Sequence, residues 1–172
     1  MPLKGRNLKA QSAMEYLMTY GWAILIIAIV LGALFSLGVF SGSSFVGTTC
    51  IAASGYECTS PLLHAGTFTA TLGQSTGITW TSATFAFVTG GGTPSNTVPA
   101  ATGAILTVSG GLTSGATASF SVVNSITSAD TPVALPSTIG ASTSGAIWAW
   151  YTTTSGGPEL VSQIATVTLK AV

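Results

Sequence analysis

Residues 21–40, GWAILIIAIVLGALFSLGVF, carry no charged side chain, and twelve of these twenty positions are Ile, Leu, Val or Phe. At about 1.5 Å of rise per residue, a helix over this run spans roughly 30 Å, the thickness of a bilayer core. At roughly −0.3 to −0.6 kcal/mol per large aliphatic or Phe residue, insertion into lipid is favoured by several kcal/mol. A soluble helix of this length would carry a polar stripe for its solvent side. The run has none, so it predicts a membrane-spanning helix. Lys4, Arg6 and Lys9 precede it, and positive flanks stay cytoplasmic, which sends the long C-terminal part outward. Tyr16, Tyr20 and Trp22 fit an interfacial aromatic belt. Glu15 lies before the run, near the interface, where it escapes the midplane cost of about 3 kcal/mol. Ala28, Gly32 and Ser36 recur every fourth residue, a spacing that lets helix backbones approach closely and that also arises from the plain abundance of small residues in membrane helices.

Charge is scarce elsewhere. Asp, Glu, Lys and Arg make up 5 % of the chain, against about 25 % in ordinary soluble domains. Beyond residue 10 the only basic residue is Lys170, set against Glu15, Glu57, Asp130 and Glu159. This distribution offers no electrostatic footprint for nucleic acid. From Ser41 the composition turns to Gly, Ser and Thr, and SGSSFVGTT predicts a hinge. The remainder keeps enough apolar bulk, Trp80, Trp148 and Trp150 included, for a folded head. Short runs with β character, at 67–72, 78–88, 104–109, 116–123, 146–153 and 163–170, are divided by Gly and Pro turns. In one of them Ala116, Ala118, Phe120 and Val122 alternate with Thr117, Ser119 and Ser121. In another, Ile78 and Trp80 fall on one parity and Phe85 and Phe87 on the other, which a bulge near Ser82 would reconcile. The expected fold class is α+β: a long N-terminal hydrophobic helix, then a β-rich, β-sandwich-like head.

No catalytic constellation emerges. His64 reads as a loop residue without a local partner, and the head's acids are far apart in sequence. The Gly90-Gly91-Gly92 run precedes Thr-Pro rather than a helix, so it reads as a turn and not a phosphate loop. The expectation is a non-enzyme without cofactor or metal. Cys50 and Cys58 match no metal or thioredoxin-like spacing. In an exported domain they would meet oxidising conditions, and a disulfide closing so short a loop is worth roughly 2–3 kcal/mol in the chain-entropy model. Two free buried thiols are the alternative.

The junction ahead of the hydrophobic run is unusual. An ordinary secretory signal is cut after its apolar region, at small residues. Here Lys9-Ala10-Gln11-Ser12-Ala13-Met14-Glu15-Tyr16 stands before it. That string resembles the class III signal peptide of archaeal type IV pilins, and the likeness covers roughly residues 4–40. The chain is unlike archaellins, whose mature start is more uniformly apolar. The resemblance implies cleavage of the Ala10–Gln11 bond by a prepilin peptidase, a membrane aspartic enzyme, with Lys9 and Ser12 as its recognition residues. It implies a leader at 1–10, a transmembrane and filament-core helix at 11–41 and an extracellular head at 42–172.

The implied partners are copies of the chain itself in a homopolymer, a pilus assembly ATPase, a membrane platform protein and the membrane. The precursor would reside in the cytoplasmic membrane and the product in a surface filament used for adhesion. Cleavage would create a new α-ammonium and make Glu15 the fifth residue of the product. A carboxylate entering an apolar bundle needs a partner, and this ammonium, on the same or a neighbouring subunit, is the implied one; solvation of Glu15 among lipid headgroups is the alternative. Two other functions use the same features: a monomeric membrane-anchored cell-surface binding protein, and a low-copy minor pilin.

Overall fold

The computed structural model describes residues 6–37 and 47–172, with side chains from residue 13 onward. Most of the expected hinge, 41–46, and the start of the leader, 1–5, lie outside the described residues. The chain divides into two units, Met1–Ser44 and Phe45–Val172.

The first unit is helix α1, Arg6–Ser36. Its backbone starts ahead of residue 11, where the core helix was expected to begin. The stretch Ala13–Ser36, 24 residues, is long and apolar enough to cross a membrane. Ile24, Leu25, Ile26, Ile27, Ile29, Val30 and Leu31 are all exposed. At about 100° per residue, so dense a run reaches every side of the helix. The hydroxyls on this surface are satisfied locally: Thr19 Oγ1 donates to the Glu15 carbonyl at 2.9 Å, and Ser36 Oγ to the Ala33 carbonyl at 2.9 Å. Such back-bonding pairs each hydroxyl within the helix itself. At the C-terminal end, Leu37 N donates to the same Ala33 carbonyl at 3.0 Å.

Among the described residues, the second unit holds ten strands: β1 (Thr49–Ala52), β2 (Tyr56–His64), β3 (Thr67–Gln74), β4 (Ser82–Thr89), β5 (Ile105–Val108), β6 (Thr117–Val122), β7 (Asn124–Ile126), β8 (Pro132–Ala134), β9 (Ser142–Thr152) and β10 (Leu160–Lys170). They form two sheets. The larger runs β1-β10-β9-β4-β7-β8, with β5 also on β4, and the smaller runs β2-β3-β6. All pairings are antiparallel except β4 with β7. The sheets bury one core between them. Phe68, Leu72, Phe120 and Val122 come from the smaller sheet, and Phe85, Phe87, Ile147, Val167 and Leu169 from the larger. Phe68 meets Phe87 and Phe120 edge-on, both at 5.3 Å between centroids, contacts worth about 0.5–1.5 kcal/mol each beyond burial. A second cluster lies on the outer face of the larger sheet, where Ala86, Val88, Ile126 and Trp150 pack with Ala101 and Ala104. Strand β4 is therefore buried on both faces, which is why SATFAFVT reads as a nearly continuous apolar run.

Several sequence expectations need correction. The parity change in 78–88 arises from a break and not a bulge. Trp80 makes an isolated bridge to Leu112, and β4 starts afresh at Ser82. Thr81 spans the gap, donating its N–H to the Thr152 carbonyl at 2.7 Å. His64 is not in a loop: it closes β2 opposite Thr67, and its Nδ1 lies 3.0 Å from the Val172 carbonyl. Strands β1, β2, β7 and β8 were not anticipated. Two of them contain proline, Pro61 in β2 and Pro132 in β8. Both are edge strands, where a missing N–H is tolerated. The register of β2 slips between Thr59 and Leu62, and Ser60 adopts φ 52° there.

Candidate processing and assembly site

The residues singled out by the junction string fall on the first half of α1. Lys9, Ala10, Gln11 and Ser12 are all in helical backbone. The Ala10–Gln11 bond follows the fifth residue of the helix. Helix ends fray, because their first N–H groups have no partner within the helix. Residues 6–10 stand at the start of this helix, where local opening costs less than in its interior.

Glu15 is exposed, on the same helix. It stands four residues after Gln11, so the two positions are one turn apart, about 6 Å along the axis and on nearly the same side. In a chain starting at Gln11 the carboxylate would sit in the first turns of the helix, where the helix dipole favours negative charge. A new ammonium at residue 11 carries the opposite sign to Glu15 at a spacing that suits an ion pair, within one helix or between neighbours.

The aromatic residues beside Glu15 follow the same periodicity. Tyr16 and Tyr20 are one turn apart on one side with ring centroids at 4.3 Å, and exposed Trp22 lies on another side at the start of the apolar run. Further along, Ala28 is exposed, and a Cβ added at Gly32 would meet nothing within 4 Å. Within its own helix, then, nothing covers Ala28 or Gly32.

In the head, Cys50 and Cys58 form a disulfide, with Cα atoms 6.0 Å apart. It links β1 to β2, and both cysteines pack against the core. The sequence marks the pair by its separation and by the oxidising exterior an exported head would meet; that it joins one sheet to the other is visible only in the fold. Three other features were not anticipated. Gln74, 2 % exposed, has a fully bonded amide. Tyr56, Trp80 and Tyr151 form an aromatic group, with Trp80 and Tyr151 stacked at 4.1 Å. Trp148 lines a cleft beside the glycine turn at 90–92. These residues are far apart in sequence, and only strand register brings them together. Comparison with protein-family models, with curated proteins and with solved structures found no match to this chain.

Proposed function

We propose that this chain is the precursor of a structural pilin, which is cut at Ala10–Gln11 and polymerises through its N-terminal helix into an archaeal type IV pilus-like surface filament used for adhesion. One observation carries the reading. The string Lys9-Ala10-Gln11-Ser12-Ala13-Met14-Glu15-Tyr16 leads directly into a helix that is apolar and exposed on all sides. Left in water, such a surface costs about 25 cal/mol per Å². Lipid removes that cost for the precursor, and a bundle of identical helices removes it for the product. The head has its own core and a disulfide suited to an oxidising exterior, and it needs no apolar surface from the helix. It would form the outer sheath.

A membrane-anchored monomeric surface protein is the second reading. The length of Ala13–Ser36 favours it, since 24 residues span roughly 36 Å at about 1.5 Å each and can cross a bilayer without partner helices. The two readings differ in the fate of the leader. The test is N-terminal sequencing of the surface form together with electron microscopy of the cells. A start at Gln11 and filaments that vanish when the chain is deleted are expected. A start beyond residue 41, or cells with unchanged filaments and a chain that retains residues 1–10, would overturn the pilin assignment.

A further inference from the structure

Two tryptophans share the outer face of the larger sheet, two residues apart on β9. Trp150 is buried, and its indole N–H donates to the Ser95 carbonyl at 3.0 Å. Trp148 is half-buried, yet its Nε1 is enclosed and has no hydrogen-bond partner among the described residues. Buried donors are almost always paired, so an orphan demands a reason. Trp148 lines an open cleft of about 390 Å³ together with Gly90, Gly91, Ser144, Gln163 and Thr166. That volume falls in the range of small-ligand sites.

Register builds this cleft. Trp148 lies directly across from Gln163, and Ala146 across from Thr166. Gln163 Nε2 donates to Thr166 Oγ1 at 3.2 Å, which orients the amide and leaves its carbonyl oxygen to accept and the threonine hydroxyl hydrogen to donate. Gly90 and Gly91 adopt φ of 84° and 70°, and a Cβ at either would meet nothing within 4 Å. The rim is thus open at Gly90 and Gly91, whereas a Cβ at Gly92 would meet the Ser128 Cβ at 2.6 Å, so that end of the turn packs against Ser128. Among the described residues that line the cleft, none carries a charge.

The chemistry of this lining selects its occupant. An anion or cation would find no counter-charge, and an apolar ligand would bury the amide and hydroxyls without partners. A neutral polyhydroxylated ring offers an apolar face to an indole and hydroxyls that both donate and accept. We propose that the cleft binds a neutral saccharide, its ring against Trp148 and its hydroxyls on the indole N–H, the Gln163 amide and Thr166. Binding would require the lining around the enclosed nitrogen to move aside, and the rim has open space at Gly90 and Gly91. The proposal deepens the adhesive part of the function proposed above and rests on the head facing outward.

The full chain, purified in a zwitterionic detergent without a sugar headgroup, is screened against an array of neutral and anionic oligosaccharides, and neutral hits are titrated by calorimetry. Binding of at least one neutral oligosaccharide is expected. Trp148→Phe removes a donor that the protein itself does not use, so it should weaken binding at least about tenfold, or about 1.4 kcal/mol, without lowering Tm. Gln163→Ala, at an exposed side chain, should weaken it severalfold. No binding, binding of anionic glycans only, or unchanged affinity in Trp148→Phe would overturn the proposal. Should Trp148→Phe lower Tm, Gln163→Ala decides: weakened binding supports the site and unchanged affinity overturns it. Both variants keep the Gln11–Tyr16 segment. Absence of sugar binding by the wild-type chain with intact filaments therefore sinks the cleft alone, and missing filaments in wild-type cells sink the pilin assignment alone.

Discussion

Cys50 and Cys58 tie the outermost strand of the larger sheet, β1, to the outermost strand of the smaller one, β2. Strand β1 has four residues and pairs only with β10, from Thr49 opposite Thr168 to Ala52 opposite Ala165. So short an edge strand holds few ladder hydrogen bonds of its own. It is also the first strand of the head, so any pull transmitted along the chain from the N-terminal side enters there.

Reduction of this bond should destabilise the head by about 2–3 kcal/mol, the chain-entropy value for a loop this short. The loss should begin locally. Hydrogen exchange of the full chain, with and without reductant, should show the β1 amides losing protection before those of β9 and β10. Uniform loss across the head would mean that the bond supports the whole core and not the β1 edge.

Gln74 staples the segment between β3 and β4. Its Nε2 donates to the Ile78 carbonyl at 2.7 Å and the Leu112 carbonyl at 3.0 Å, and its Oε1 accepts from Thr76 N at 3.0 Å and Thr76 Oγ1 at 2.7 Å. Leucine would fill similar volume but leave these groups without partners. Gln74→Leu should cost about 2–3 kcal/mol, measured by denaturant unfolding. A change below about 0.5 kcal/mol would show that water replaces the amide and that the network is dispensable.

Tyr151 stacks on Trp80 with planes 14° apart. Burial raises its phenol above the ordinary value, and nearby Tyr56 raises it further by charge and hydrogen bonding. The folded state thus holds this proton more tightly than the unfolded chain does. Its contribution is intact below the ordinary phenol range, near pH ~10, and is lost as pH rises through the higher folded value. Thermal unfolding between about pH 8 and pH 11 should show a steeper alkaline loss in the native chain than in Tyr151→Phe. Parallel curves would remove Tyr151 as the source.

Glu15→Gln keeps the shape of the helix and removes the charge opposite a new ammonium at residue 11. The variant should insert and be cleaved normally, yet incorporate poorly into filaments, with processing and filament yield measured in the same cells. Normal filaments would show that the pairing is unnecessary. Absent cleavage would move Glu15 from assembly to recognition by the peptidase.

The helix and the presence of a β-rich head were legible in the sequence because they depend on local chemistry. A run such as ILIIAIVL has few alternatives to a helix in lipid, since its backbone groups must bond within the segment. Alternation in Thr117–Val122 likewise marked its own buried face, with Phe120 and Val122 inside and Ser119 and Ser121 out. Where local chemistry was ambiguous, the sequence misled: Pro132 reads as a loop residue, yet it lies in edge strand β8, a property of neighbours and not of composition. The rest was decided by tertiary structure alone. Register set Trp148 against Gln163, sheet packing brought Phe68 onto Phe87, and a crossing between two sheets turned a pair of cysteines eight apart into a staple. Pairings between distant strands depend on which faces can be buried together, and that selection is made by the whole core at once.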